Sequence, residues 1–353
     1  MKRSLFMGAF VGVLAVLACD NDVEYYDSVQ EFERDEDVEY LLSKTSVNLP
    51  DNVSVSDLGM SVDERVQFLV SAKSSMLSRA VNPLEDAMTQ NELEGILQEK
   101  VDSLDIPELV SPSEADIGMI NEVFPDLTEE EILENLYAIG KVYQDMVSAV
   151  AVNDILCSAG GDLQARSVGY KNGTFYDDDD SVTWYEIAAV LKHPFSAVGL
   201  IKQRNIAYDL TKSYYGDEYD SVDNKADAFR HSIWNVVMAK EGWGLKKEKL
   251  SWAEDFSTAH EKGTKYDGVA SEMDLHNNKV GRCFYDAKVS KKYTKILWWK
   301  IETGVKEPSY DEFCKIIYEK SRSAVFIDKD TELSRFKNME GNVSTTDLIY
   351  IKK

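Results

Sequence analysis

The stretch Asp227–Gly244, DAFRHSIWNVVMAKEGWG, decides the fold class. Phe229, Ile233, Val236 and Val237 recur at three- and four-residue spacing, the period of one helix face, so the segment reads as an amphipathic helix capped by Asp223 or Asn224. Its other face is not that of a solvated helix. Asp227, Arg230, His231, Trp234 and Met238 follow at the same spacing, which sets a carboxylate beside an imidazole on a surface that also carries a large aromatic. Such a surface favours burial, yet unpaired buried charge is costly. The charged groups are therefore expected to pair with polar groups from other segments or to line a cleft.

Two such segments follow. LSWAEDFSTAHEKG (250–263) reads as a helix capped by Ser251 and ended by Gly263, with Ala253, Phe256 and His260 on its core side and Glu261 beside them. SEMDLHNNKVGRCFYD (271–286), with Ser271 as the expected cap, groups Met273, Asn277, Val280 and Phe284, and Asp274, Asn278 and Gly281 adjoin that stripe. All four histidines, His193, His231, His260 and His276, lie after residue 183. Three helices thus each bring an imidazole, carboxylate or amide inward, and this convergence marks a candidate site.

The residue types admit three chemistries. In a metal reading, His231 and His260 with a carboxylate from Asp227, Glu261 or Asp274 hold zinc or another divalent ion that acidifies water for hydrolysis. In a metal-free reading, an imidazole oriented by Asp274 or Asp227 is the general base, while Arg230, Asn277 and Asn278 hold an oxyanion. In a structural reading the same groups satisfy one another and set helix register. No compact metal motif and no Gly-x-Ser-x-Gly elbow selects among them, and Cys283 beside Arg282 is only a weak candidate nucleophile.

These residues also carry a resemblance. AAVLKHPFSAVGL, DAFRHSIWNVVMA, AHE and MDLHNNKVGR, within about Trp184–Tyr285, resemble an uncharacterised domain family of bacterial secreted proteins and lipoproteins. Its signature is Asp-Ala-Phe-Arg-His-x-x-Trp, then His-Glu, then Met-Asp-x-x-Asn-Asn-x-x-Gly. Asp227, Arg230, His231, Trp234, His260, Glu261, Asp274, Asn277, Asn278 and Gly281 all stand at signature positions. The resemblance implies a site and names no reaction.

The remainder of the chain sets the context. MKRSLFMGAFVGVLAVLAC has a basic start, an apolar run too short to span a bilayer comfortably, and a lipobox-like ending. Residues 1–18 are expected to be a signal peptide, and Cys19 the acylated N-terminus. Residues 19–42 follow as an acidic stalk, in which Asp20–Tyr40 carries ten carboxylates against Arg34. The expected location is the bacterial cell envelope, at the outer membrane or cell surface in preference to the inner membrane. Residues 43–160 read as a helical region, 161–183 as a linker rich in Gly, Ser and Asp, and 184–353 as the domain that bears the signature.

The chain holds 63 acids and 39 bases, net -24, but from Trp184 onward there are 26 acids and 28 bases. Nucleic acid is excluded as a partner, because phosphate binding needs a cationic surface. Beyond Cys19, three widely spaced cysteines imply no disulfide framework. KVSKKYTKILWWK (288–300) mixes five lysines with Tyr293, Trp298 and Trp299; it suits either a lipid headgroup region or an element with tryptophans inside and lysines in water. SAVFID and DLIYIKK read as short strands. The whole is expected to be mainly α, a helical N-terminal region and a mostly helical C-terminal domain with a small β element. The two functional expectations are a lipid-anchored hydrolase of an envelope lipid, glycan or peptide, and a non-catalytic surface lipoprotein with a buried polar network.

Overall fold

At Thr89–Glu92, Ser113–Asp116, Thr128–Glu131, Thr183–Glu186 and Ser309–Glu312 a hydroxyl residue is followed three positions later by an acid. Each pair starts a helix. The hydroxyl accepts from the third helical N–H while the acid accepts from the capping residue's own N–H. The computed structural model describes residues 36–51, 53–77, 81–160, 181–263, 268–296, 299–328 and 346–351. The expected signal segment, Cys19, most of the stalk and residues 161–180 of the expected linker lie outside them. The described residues belong to one unit, Glu31–Lys353.

The N-terminal elements are α1 (Glu36–Leu42), α2 (Val62–Leu77), β1 (Asp86–Thr89), α3 (Gln90–Ser103), α4 (Glu114–Val123), α5 (Glu129–Glu134) and α6 (Leu136–Gly160). After residue 180 come β2 (Ser181–Thr183), α7 (Trp184–Lys192), α8 (Pro194–Ala197), α9 (Leu200–Tyr215), α10 (Lys225–Glu241), α11 (Lys246–Gly263) and α12 (Gly268–Lys288). The chain continues through β3 (Ser290–Ile296), β4 (Trp299–Lys306), α13 (Tyr310–Arg322), β5 (Val325–Phe326) and β6 (Ile349–Tyr350). The fold is mainly α. Among the described residues the strands form only two-stranded pairs: β1 with β2 and β3 with β4 antiparallel, β5 with β6 parallel. No helix among the described residues is long and apolar enough to cross a membrane.

Local expectations differ from the structure at three places. Glu36–Leu42, expected to close the extended stalk, is a helix because Val38 and Leu41 share one face and are buried with Ile120, Phe124 and Ile139. Ser251 and Ser271 do not cap: α11 begins at Lys246 and α12 at Gly268, and Ser251 instead donates to Oδ2 of Asp255 at 3.2 Å. At α10 the expectation of Asp223 or Asn224 holds: the Asn224 side chain is the cap, accepting from the N–H groups of Ala226 and Asp227. Asp223 takes a positive φ of 63°.

Helix α10 is the axis of the second half. Every residue from Ala226 to Ala239 is buried, so its polar stripe faces protein just as its apolar stripe does. Helices α9, α11, α12 and α13 surround it. The approach of α12 is closest at Gly281, where an added Cβ would lie 2.2 Å from the carbonyl oxygen of Ser232. The main apolar cluster also joins α7, α10 and α11 to Val66 and Leu69 of α2, Leu93 and Leu97 of α3 and Ile155 of α6, on the other side of the expected linker.

Candidate functional site

Cap geometry places the first group. With Asn224 holding the start of α10, Asp227 sits in the first turn, and its Oδ2 accepts from the backbone N–H of Asp223 at 2.5 Å. Arg230, one turn on, pairs with Oδ1 of Asp227, donates to the carbonyls of Tyr219 (2.7 Å) and Ser221 (3.2 Å), and lies against the ring of Tyr208. Its guanidinium is almost fully buried among these partners. The expected oxyanion role for Arg230 therefore has no support in its geometry. It anchors Asp227 and the turn before α10.

His231 stands at the centre. Its Nε2 is 3.3 Å from Oδ1 of Asp227 and 3.2 Å from Oδ1 of Asp274 on α12, and its Nδ1 is 3.8 Å from Oε1 of Glu261 on α11. One imidazole thus faces three carboxylates from three helices, all buried. Among the described residues, no donor reaches Oδ1 of Asp274 in hydrogen-bonding geometry.

The electrostatics follow from that crowding. Burial, then the charges of Glu261 and Asp227, push the Asp274 carboxyl well above the ordinary range. Glu261 is raised too, first by burial, against the pull of His231 and His260. For Asp227 burial acts upward, but Arg230 and His231 outweigh it and the carboxyl is lowered. Of the three carboxyls, Asp227 therefore keeps its charge most readily and Asp274 least.

The other expected members are placed elsewhere or serve as supports. His260 turns from this centre: its Nδ1 is 2.9 Å from Oε1 of Glu186, the acid that closes the α7 capping box, and its ring meets Trp234 edge-on. Asn277 spends its amide on the backbone of Ile349, donating to the carbonyl and accepting from the N–H, both at 3.0 Å, which ties β6 to α12. Asn278 donates to Oε1 of Glu261 at 3.4 Å and accepts from Asn235 at 2.7 Å. His276, between Asp274 and Asn277 in the signature, faces the carbonyl of Asp347 at 2.7 Å.

Sequence reasoning missed Asn235, Ser257 and Arg282. The Oδ1 of Asn235 accepts from Arg282 at 2.8 Å and from Ser257 at 3.2 Å, so these groups hold Asn278, and through it Glu261, in place. Asn235 was findable, since it lies four residues after His231 and eight after Asp227 on one stripe.

The ligand atoms of Asp227, His231 and Asp274 all lie within 4.8 Å of one another, a spacing that could hold a metal ion. The set differs from the expected His231, His260 and Asp227 in that Asp274 stands in the place of His260. Residues 187–307 match a family model described as a domain of unknown function, DUF6973. The matched span contains α10, α11 and α12 entire, hence every group of the cluster. No curated protein matches the chain.

Proposed function

We propose that this chain is a lipid-anchored protein of the bacterial cell envelope that binds one divalent metal ion through Asp227, His231 and Asp274 and uses it for hydrolysis. The observation that carries the reading is the two-sided placement of His231. Its Nε2 faces two carboxylates at 3.3 and 3.2 Å while its Nδ1 faces a third, Glu261. Ligands about 2.1 Å from an ion are roughly 3.0 Å apart in an octahedron and about 3.4 Å apart in a tetrahedron, so these separations suit shared coordination. A histidine ligand commonly gives its other ring N–H to a carboxylate, the position of Glu261. A mixed nitrogen and oxygen set favours zinc and its neighbours over magnesium or calcium.

An ion bound there would bring the pKa of its water toward about 7. Arg230 keeps Asp227 ionised and oriented; Asn278, held by Asn235, orients Glu261. Asp274 has the most exposed side chain of the four acid and imidazole groups, 10%, so a substrate would approach from the α12 side. The proposed substrates are envelope lipids, glycans or peptides, and the anchor is Cys19, whose replacement by Ser should turn stable membrane attachment into an association that high salt reverses.

Burial favours a second reading, a non-catalytic network that fixes the packing of α10, α11 and α12. Metal analysis of the full chain, loaded with zinc and then dialysed, separates the two. The metal reading expects about one retained ion per chain, lost in His231→Ala and Asp274→Asn and kept in His260→Ala. No retained ion in the wild type, with His231→Ala costing about 1–3 kcal/mol of stability, would leave the network alone. With an ion present, release of fatty acid, reducing ends or amines from envelope fractions identifies the bond cleaved.

A further inference from the structure

The segment of lysines and aromatics at 288–300 takes no part in the buried centre. It lies mostly in β3 and β4, which among the described residues pair only with each other, from Ser290 opposite Lys306 to Ile296 opposite Trp299, with a register shift between Lys292 and Tyr293. An isolated two-stranded hairpin is marginal in water. Here its base is fixed: Tyr285 pairs with Glu307, and Lys240 reaches the same carboxylate at 3.1 Å. Lys291, Lys292, Tyr293, Thr294 and Lys306 are exposed, Tyr293 by 43%.

Charge distinguishes this element from the chain around it. The two strands carry Lys291, Lys292, Lys295, Lys300 and Lys306 against a single acid, Glu302, in a protein of net charge -24. Glu302 is already paired with Lys291 at 2.6 Å, and Glu307 with Lys240. A cationic, tyrosine-bearing ribbon whose outer strand edges pair with no other described strand suits an anionic, partly apolar surface. We propose that the β3–β4 hairpin docks on the headgroups of an anionic phospholipid bilayer. The hairpin includes none of Asp227, His231 and Asp274, and the inference does not rest on the metal reading or on acylation of Cys19.

The test uses the full chain carrying Cys19→Ser, so that no acyl group contributes. It is sedimented with vesicles of phosphatidylcholine alone and of phosphatidylcholine containing about one-third phosphatidylglycerol. Binding is expected to the anionic vesicles only, and to weaken as salt is raised. Each lysine near such a surface is worth about fivefold in affinity, so Lys292→Gln with Lys306→Gln should weaken binding about twenty-five-fold. Both side chains are exposed, and an unchanged melting temperature verifies the fold of that variant. Equal binding to neutral vesicles, equal binding by the double variant, or binding to a soluble polyanion such as heparin without binding to vesicles would each overturn the proposal.

Discussion

His260 and His193 show how the pKa of the same side chain is pushed in opposite directions. For His260 burial acts to lower the pKa, but the hydrogen bond and charge of Glu186, with Glu261 adding, raise it above the ordinary 6.5. The folded state then holds that proton more tightly than the unfolded one. Its contribution to stability is complete below 6.5 and is lost as pH rises through the raised value. Melting temperatures between about pH 6 and about pH 9 should fall in the wild type and fall less in His260→Gln. An equal slope in the variant would remove the ion pair from the account. His193 runs the other way: burial holds it down to about 3 despite Asp255 at 2.6 Å, so its contribution is present above 6.5 and lost as pH falls. The spacing of Asp227 and His231 was legible as i, i+4, whereas Glu186 lies 74 residues before His260 and no local pattern joins them.

At the scale of the element, the crossing of α10 and α12 determines whether the three carboxylates can meet. Gly281 permits the close approach, and Ser232 secures it by donating to the carbonyl of Asn277 at 2.7 Å. A methyl group at 281 would meet not only the carbonyl oxygen of Ser232 but also its C and Cα at 2.9 Å, all of them backbone atoms that cannot rotate aside. Gly281→Ala should therefore force the helices apart and cost about 3 kcal/mol or more in urea unfolding. Ser232→Ala, which removes one hydrogen bond and leaves the approach intact, should cost about 1 kcal/mol. Similar losses from the two substitutions would mean that the crossing tolerates a Cβ. The small side chain at 281 was visible in sequence as part of the signature. Its purpose was not, since a helical glycine looks the same whether it meets backbone or water.

Across the whole molecule, the expected boundary at 161–183 separates segments that share a core. Ser148 and Lys141 of α6 donate to the carbonyls of Leu191 and Lys192 at the end of α7, and Lys73 of α2, itself buried, donates to the carbonyl of Leu156 and lies over the ring of Trp184. β1 pairs with β2, and Trp243, in the turn after α10, fills the space that Gly140 of α6 leaves open. Cutting the chain within 161–180 should leave two fragments that co-elute and melt together. A fragment from Trp184 expressed alone should aggregate, because Ile187, Ala188 and Leu191 lose their cover from α2 and α6. Separate elution of the two pieces, each folded, would restore two autonomous domains.

The sequence by itself determined the helical class, the cap of α10 at one of the two residues offered and the three segments that carry the charged stripe. Each of these depends on hydrogen bonds or burial within one turn, and spacing of three or four residues records it. Only the tertiary structure decided that Asp274 rather than His260 joins His231, that Arg230 and Asn277 are spent on backbone carbonyls and strands, and that the core crosses the linker. The physical reason lies in α10, which is buried on every side. Amphipathic periodicity distinguishes protein from water; around a helix with no wet face, it cannot tell which neighbouring helix each side chain meets.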